Sequence, residues 1–288
     1  MGALANLHYV KMNGLGNEIV IVDLRRAPRP IAAAEARAAA RRESYDQLMA
    51  LYPARGGADA SVRIYNNDGS EAGACGNGMR CVASLVGAET GKREMSFETP
   101  AGLVSCRRDA DDMFTVDMGA PRWRWDEIPL AKEFPDTRAI ELNYGPPDAP
   151  LLSSPSVVSM GNPHAIFWVD DPGSYDLTTI GPPLEHHPLF PERANITLAA
   201  TVSRDRIIIR TWERGAGLTK ACGSAACATA VAAARLNRTG RKVTVQVPGG
   251  ELGVEWRQKD NHVLMTGPVE YEHDGDFPEA LTADAETA

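Results

Sequence analysis

The chain repeats itself. The stretch Gly73-Ala-Cys-Gly-Asn-Gly-Met-Arg-Cys-Val-Ala83 returns as Lys220-Ala-Cys-Gly-Ser-Ala-Ala-Cys-Ala-Thr-Ala230, so Cys75 and Cys222 occupy matching positions 147 residues apart. Other landmarks keep the same order at offsets of 145 to 148. Gly16-Asn17 running to Asp23 matches Gly161-Asn162 running to Asp170, Thr99-Pro-Ala-Gly-Leu matches Val247-Pro-Gly-Gly-Glu, and Asp117-Met-Gly matches Met265-Thr-Gly. An internal repeat restricts the fold to copies of one supersecondary plan. Two modules are therefore expected, 1–121 carrying Cys75 and 122–288 carrying Cys222, with the functional site where they face each other.

In both copies Ala-Cys-Gly precedes a run with almost no polar face, and a helix that is apolar all round is enclosed by its own fold. Each cysteine then stands where a loop enters a buried helix. There the unbonded N–H groups and the positive end of the helix dipole favour an anion, a thiolate included. A cysteine in a small-residue helix is ordinarily packed and inert, and Cys81, Cys106 and Cys227 read that way. Cys75 and Cys222 differ because a glycine follows each and lets the backbone approach a ligand.

Composition narrows the function classes. A net charge of −8 gives no support to a nucleic-acid surface. No stretch reaches the unbroken apolar length of a membrane span, and the opening Met-Gly-Ala-Leu-Ala-Asn has neither the basic start nor the apolar core of a signal peptide. Five cysteines, an odd number without a dense framework, point to a reducing compartment, so a cytoplasmic protein is expected.

In chain order, His8 to Lys11 and Glu18 to Asp23 read as strands around a Gly-rich loop ending at Asn17, whose amide either reaches a ligand or closes the turn. Ala32 to Arg42 has helical spacing, Asp46 opens an apolar segment, and Ser61 to Tyr65 alternates as a strand before the turn Asn66-Asn-Asp-Gly-Ser. Met95 to Pro121 reads as strands between turns, and 121–155 as the crossing between modules plus irregular outer strands. His164 follows a proline at the start of an apolar run, Asn195 enters another strand, and Arg206 to Trp212 is a strand delivering Glu213 and Arg214 to the loop before Cys222. His186-His-Pro has no acidic or Cys partner at ligand spacing, so no metal site is expected. The acidic tail from Glu270 reads as frayed at its end.

Matched cysteines at matched helix starts suit inversion at a carbon. One group removes a proton from one face, another delivers a proton to the opposite face, and identical groups exchange roles when the reaction runs backwards. A thiol's ordinary pKa of about 8.5 is lowered by a helix N-terminus, which brings both protonation states within reach of neutral pH. No pyridoxal-phosphate, nucleotide or metal motif is present, so no cofactor is expected. The N–H groups after each cysteine would instead hold the substrate carboxylate.

The motifs Lys11-Met-Asn-Gly-Leu-Gly-Asn, Asp46-Gln-Leu, Asn66-Asn-Asp-Gly-Ser-Glu, Ala74-Cys-Gly-Asn-Gly-Met-Arg-Cys, Met160-Gly-Asn-Pro-His, Pro191-Glu-Arg-Ala-Asn, Trp212-Glu-Arg-Gly-Ala-Gly, Ala221-Cys-Gly-Ser and Met265-Thr-Gly-Pro stand in common order along nearly the whole chain. Together they resemble the diaminopimelate epimerase family. The resemblance implies an α+β fold of two pseudo-symmetric domains, each a curved β-sheet wrapped around a central apolar helix. It further implies cofactor-independent interconversion of LL- and meso-diaminopimelate, a step of lysine and peptidoglycan precursor synthesis, with a homodimer as the expected assembly.

Carried across by position, Cys75 and Cys222 match the family's catalytic thiols, and His164 and Glu213 match groups that tune them. Gly76, Asn77, Gly223 and Ser224 match the carboxylate-holding helix starts, and Asn17, Gln47, Asn66, Asn162, Asn195 and Arg214, with Glu213, match the remaining substrate contacts. Amides plus one arginine suit a zwitterion whose far end is itself an amino acid, because each desolvated charge needs partners. The chain departs from the family pattern at Asn13, where His is common, at Leu218, where an acid is common, and at Ala225, where Gly is usual. Two alternatives are a proline or hydroxyproline racemase-type enzyme and a catalytically silent binding protein of the same fold.

Overall fold

The computed structural model describes residues 2–279 and Leu281. They divide into two compact units, the described residues up to Val116 together with those from Gly267 onward, and Asp117–Thr266.

The first unit starts with strand β1 (His8–Asn13), β2 (Glu18–Asp23), helix α1 (Ala33–Arg42), β3 (Gln47–Tyr52), β4 (Ala60–Asn66) and the short β5 (Glu71–Ala72). Helix α2 (Gly76–Thr90) and strands β6 (Glu94–Thr99), β7 (Gly102–Arg108) and β8 (Met113–Asp117) follow. β1 pairs antiparallel with β2, β2 parallel with β3, β3 antiparallel with β4, β4 parallel with β6, and β6 through β8 form a meander.

The second unit adds a small ribbon of β9 (Asn143–Tyr144) and β10 (Leu152–Ser153), then β11 (Ser156–Ser159), β12 (Pro163–Trp168), α3 (Leu177–Glu185), β13 (Asn195–Ser203), β14 (Arg206–Glu213) and β15 (Gly217–Leu218). It continues with α4 (Gly223–Arg235), β16 (Lys242–Val247), β17 (Gly250–Trp256) and β18 (Val263–Pro268). Its pairings repeat the first unit's in order: β11–β12 antiparallel, β12–β13 parallel, β13–β14 antiparallel, β14–β16 parallel, then β16–β17–β18 antiparallel. The repeat read from spacing is thus a repeat of topology.

Burial explains the apolar runs. In each unit one helix packs within the curve of the sheet, α2 against β2, β3, β6 and β7, and α4 against β11 to β14, β16 and β17. A second helix covers the opposite face. Val20, Val22, Leu48 and Ala50 join the cluster under α1, while Ala165, Phe167, Ile196 and Leu198 join the one under α3. Strands covered on both faces read as continuous apolar stretches instead of alternating ones, and Ile19-Val-Ile-Val is buried throughout. Along α4 every residue from Ala225 to Ala233 is buried, so the helix without a polar face is the enclosed one.

The tail from Glu270 begins as a strand, β19 (Glu270–Asp276), which pairs antiparallel with β1; the end expected to fray lies outside the described residues. A buried Lys11 lies 3.0 Å from Glu43, 3.1 Å from Glu18 and 3.8 Å from Glu272 of β19, so one acid of the tail joins an ion-pair cluster in the first unit. The residues beyond Leu281 lie outside the described ones. A single cut at 121/122 also leaves β19 with the second module, whereas its pairing joins it to the first unit.

Helix α3 has no counterpart in the sequence reading, because Pro182 and Pro183 sit inside it. Asp176 caps it, accepting from the Thr178 N–H and from the hydroxyls of Thr178 and Thr179. Gly181 lets it lie flat on β14, since a Cβ there would come within 2.4 Å of the Trp212 ring. Gly181→Ala should therefore destabilise the protein by about 1–3 kcal/mol through overpacking, read as a lowered Tm. An unchanged Tm would mean that α3 moves off β14 without cost.

Candidate active site

Each unit assembles a cluster of polar side chains at the start of its enclosed helix, and strand register does the assembling. In the first unit β2 lies beside β3 with Ile19 opposite Gln47, and β3 beside β4 with Gln47 opposite Asn66. The amides of Asn17, Gln47 and Asn66 consequently line up although they are far apart in sequence. Asn17 Nδ2 donates to Gln47 Oε1 at 3.1 Å and to Asp46 Oδ2 at 2.9 Å. Gln47 Nε2 donates to Asn66 Oδ1 at 3.5 Å.

Cys75 faces this row as the N-cap of α2. Its Sγ accepts from the Gly78 N–H at 3.3 Å, and lies 3.6 Å from Gln47 Oε1 and 3.8 Å from Asn17 Oδ1. The N–H favours the anionic sulfur, whereas the two oxygens, placed to accept from the S–H, favour the thiol. Gly76 and Asn77 form the first helical residues, and Asn77 is buried with its Oδ1 accepting from Arg80 Nη1 at 3.0 Å. Asn13, a departure from the family pattern, closes the loop before Asn17. Its Oδ1 accepts from the Gly16 N–H at 2.6 Å and its Nδ2 donates to Glu272 Oε1 at 2.9 Å.

The second unit repeats the plan with different chemistry. His164 stands opposite Asn195 in the parallel β12–β13 pair, and Ile196 opposite Trp212 brings Asn195 to the end of β14, where Glu213 and Arg214 follow. Asn195 is a cross-brace: Nδ2 donates to the Pro163 carbonyl at 3.0 Å and Oδ1 accepts from the Arg214 N–H at 3.0 Å. Arg214 Nη1 donates to the Glu192 carbonyl at 2.8 Å, and Glu213 Oε1 accepts from the Thr219 hydroxyl at 2.6 Å.

Cys222 is the N-cap of α4, which begins at Gly223, and its Sγ lies 3.6 Å from Ser224 Oγ. Ser224 Oγ lies 3.4 Å from Asn162 Nδ2, and Asn162 Oδ1 lies 2.9 Å from His164 Nε2. A chain of polar contacts therefore runs from His164 through Asn162 and Ser224 to the sulfur. Of the other two departures from the family pattern, Ala225 is buried in α4 and Leu218 is exposed on β15.

The thiol chemistry differs from the sequence expectation at Cys222. A helix N-terminus alone would lower the thiol's pKa, yet burial, and after it the negative charge of Glu213, push Cys222 well above the ordinary thiol range. Taking the sulfur out of water disfavours the thiolate more than hydrogen bonds at the helix start favour it. Cys222 accordingly rests as the thiol.

Sequence reasoning missed Glu185. It is buried at the end of α3, accepting from Trp212 Nε1 at 2.7 Å and from the Gly215 N–H at 3.1 Å, so it fixes both sides of the Glu213-Arg214 turn. Its only sequence signal is a Glu beside His186-His-Pro. Among the described residues no group of three His, Cys, Asp or Glu is placed to hold a metal ion, and no helix is long and apolar enough to cross a membrane.

His164 is fully buried, and burial, with Arg214's charge adding to it, lowers its pKa from 6.5 to about 3. The neutral ring donates from Nε2 to the Asn162 carbonyl oxygen. Its Nδ1 has no hydrogen-bond partner. The folded protein binds this proton less readily than the unfolded chain, so the stability it contributes is complete above about 6.5 and declines as pH falls toward 3. By NMR the His164 Cε1–H resonance should not titrate between about pH 5 and 8, in contrast to an ordinary His; a midpoint near 6.5 would contradict the neutral assignment.

The family profile described as diaminopimelate epimerase matches residues 9–124 and 156–272. The chain is 65% identical over 287 residues to the diaminopimelate epimerase of Rhodopseudomonas palustris strain TIE-1, covering 99% of this chain and 98% of that one. It is 64% identical over 287 residues to the diaminopimelate epimerase of Nitrobacter hamburgensis, covering 98% and 99%. Among solved structures, a hydroxyproline epimerase from Agrobacterium vitis shares the fold with TM-score 0.68 at 15% identity, over 94% of this chain and 90% of that one. A protein of Pseudomonas aeruginosa described as a predicted epimerase does so with TM-score 0.67 at 18% identity, over 95% and 99%. By profile and by near full-length identity, the chain belongs to the diaminopimelate epimerase family.

Proposed function

We propose that Cys75 and Cys222 act as the thiolate and thiol of a two-base, cofactor-independent epimerisation of LL-diaminopimelate to meso-diaminopimelate. The observation that carries this reading is the recurrence of a cysteine N-cap on an enclosed helix in each unit, one ringed by neutral amides and the other beside Glu213. The thiolate takes the α-proton from one face of the substrate carbon, and the thiol gives its own proton to the other face. Afterwards the sulfurs hold the opposite protonation states, poised for the reverse reaction. The N–H groups at the starts of α2 and α4 bind the α-carboxylate and stabilise charge that builds on it as the proton leaves.

The other polar groups serve specificity. Asn17, Gln47, Asn66, Asn162 and Arg214 are hydrogen-bonding partners for the second amino-acid head of the substrate, which a proline-sized ligand lacks. His164 and Glu213 act on Cys222, His164 as a neutral relay through Asn162 and Ser224, Glu213 by its charge. Asn195 acts mainly by bracing the Arg214 turn. A cytoplasmic homodimer is the setting that fits this reading.

In deuterated water, early product should carry solvent deuterium at the α-carbon while remaining substrate stays almost unlabelled, because the proton delivered is not the one removed. Substantial label in substrate recovered at low conversion would refute the two-base scheme. Cys75→Ala and Cys222→Ala should each lose at least about a hundredfold in kcat, the contribution of a missing acid or base. Cys81→Ala and Cys227→Ala should lose packing stability and retain the chemistry. Full epimerase activity in either N-cap variant would remove that cysteine from the mechanism.

Arg214→Met gives up a bond to the Glu192 carbonyl on an exposed turn, so its Tm should hold while kcat/KM for diaminopimelate falls at least about tenfold, the cost of leaving a substrate charge unpaired. Assays with proline and hydroxyproline alongside test the alternative substrate class. Unchanged kcat/KM for diaminopimelate would take Arg214 out of the binding set.

A further inference from the structure

Two of the positions at which the duplicated halves differ carry a charge in one copy only. The position 147 residues after Asn66 is Glu213, and the position 147 residues after Arg80 is Cys227. Thus the Cys75 unit pairs a neutral amide at the end of β4 with a cation in its helix, while the Cys222 unit pairs an anion at the end of β14 with a neutral thiol in its helix. At these two positions the copies differ in charge in opposite directions.

Arg80 is an unusual residue for its place. It is fully buried and lies in the second turn of α2, where the positive end of the helix dipole makes a cation unfavourable, and burying a charge is costly unless it is well partnered. Its side chain leans back toward the helix start, as helical side chains do, so Nη1 donates to Asn77 Oδ1 at 3.0 Å while Nε donates to the Pro268 carbonyl at 3.4 Å. The loop before Asn17 passes directly over it. A Cβ on Gly14 would come within 3.2 Å of Asn77 Cβ and 3.3 Å of Arg80 Nη2, so glycine is what lets loop, amide and guanidinium close up.

The charge is felt within this helix. Cys81, next in sequence, is pushed up to about 12 by its burial, with Arg80 pulling it down and Cys75 and Glu272 pushing it up. Also facing Cys75 are the side-chain oxygens of Asn17 and Gln47, placed to accept from its S–H, with Asp46 behind them, bonded to Asn17 Nδ2 and to the Glu18 N–H; against these acceptors it takes a cation to favour the thiolate.

We propose that Arg80 is a positioning residue that holds Asn77 at the helix start and, by its buried positive charge, keeps Cys75 as the resting thiolate, while Glu213 keeps Cys222 as the resting thiol. The duplicated scaffold would otherwise make the two sulfurs equivalent and leave both protonated or both ionised for part of the time. This rests on the two-thiol reading above, and it names the groups that break the symmetry.

The test reads thiolate directly and needs no turnover. The full-length protein is treated with iodoacetamide between pH 5 and 9, and Cys75 modification is followed by peptide mass spectrometry. In the wild type the Cys75 midpoint should lie below the ordinary thiol value of about 8.5. Arg80→Met should raise it by about one unit or more, the size of effect a nearby buried charge exerts, and Arg80→Lys, which keeps the charge, should stay near the wild type. A folded Arg80→Met protein with an unmoved Cys75 midpoint would reduce Arg80 to a packing role. Should Arg80→Met fail to fold, a wild-type midpoint at or above the ordinary value, or an Arg80→Lys midpoint raised by a unit, would overturn the proposal by itself. Epimerase activity surviving in Cys75→Ala would sink the two-thiol reading, while the alkylation midpoint would still decide what Arg80 does.

Discussion

A helix enclosed on all sides must still satisfy the N–H groups of its first turn, which have no partner inside the helix. In this protein that obligation falls at the starts of α2 and α4, where a cysteine stands at each N-cap position. The Gly78 N–H meets the Cys75 sulfur directly. Gly78 is confined as well, since a Cβ there would come within 2.7 Å of Met49 Sδ and 3.3 Å of Cys75 Sγ. A methyl group at Gly78 would therefore require the Met49 side chain of β3 to shift, and the polar row on Asn17, Gln47 and Asn66 is aligned beside the cap by strand register.

The same scaffold built twice does not make two equal sites. Strand order, pairing sense and helix placement recur from one unit to the other, yet the side chains delivered to corresponding places differ. Asn66 and Glu213 end equivalent strands, and Gln47 and Asn195 begin equivalent strands. Gln47 joins a row of amides, whereas Asn195 spends its hydrogen bonds on the Pro163 carbonyl and the Arg214 N–H and so shapes the turn. Topology supplies the positions, and the substitutions between copies make the surroundings of the two cysteines chemically different.

Much of this was legible in the residues. The apolar runs named most strands because strands covered on both faces leave no alternation to misread, and the Gly-Asn turns and Ala-Cys-Gly starts located both cysteines. Helix α3 was hidden because its prolines are local helix breakers, and it forms because Asp176 caps it and Gly181 admits the Trp212 ring. Glu185 was hidden because its partners, Trp212 and Gly215, are distant in sequence and meet it only across α3 and β14. The acidic last strand was hidden for a similar reason: Glu272 meets Lys11, which lies at the opposite end of the chain.

The sequence by itself determined the duplication, the family, the cysteine caps and the set of amides, since each is a matter of residue identity and spacing. The tertiary structure decided how those residues act. Whether a thiol is raised or lowered depends on how much water its surroundings remove and which charge lies beside it, and both are properties of enclosure by segments far apart in the chain. Cys75 and Cys222 begin the same motif, but one sulfur accepts an N–H among neutral amides while the other is buried beside Glu213. That inequality comes from long-range packing, which no local pattern around the cysteines encodes.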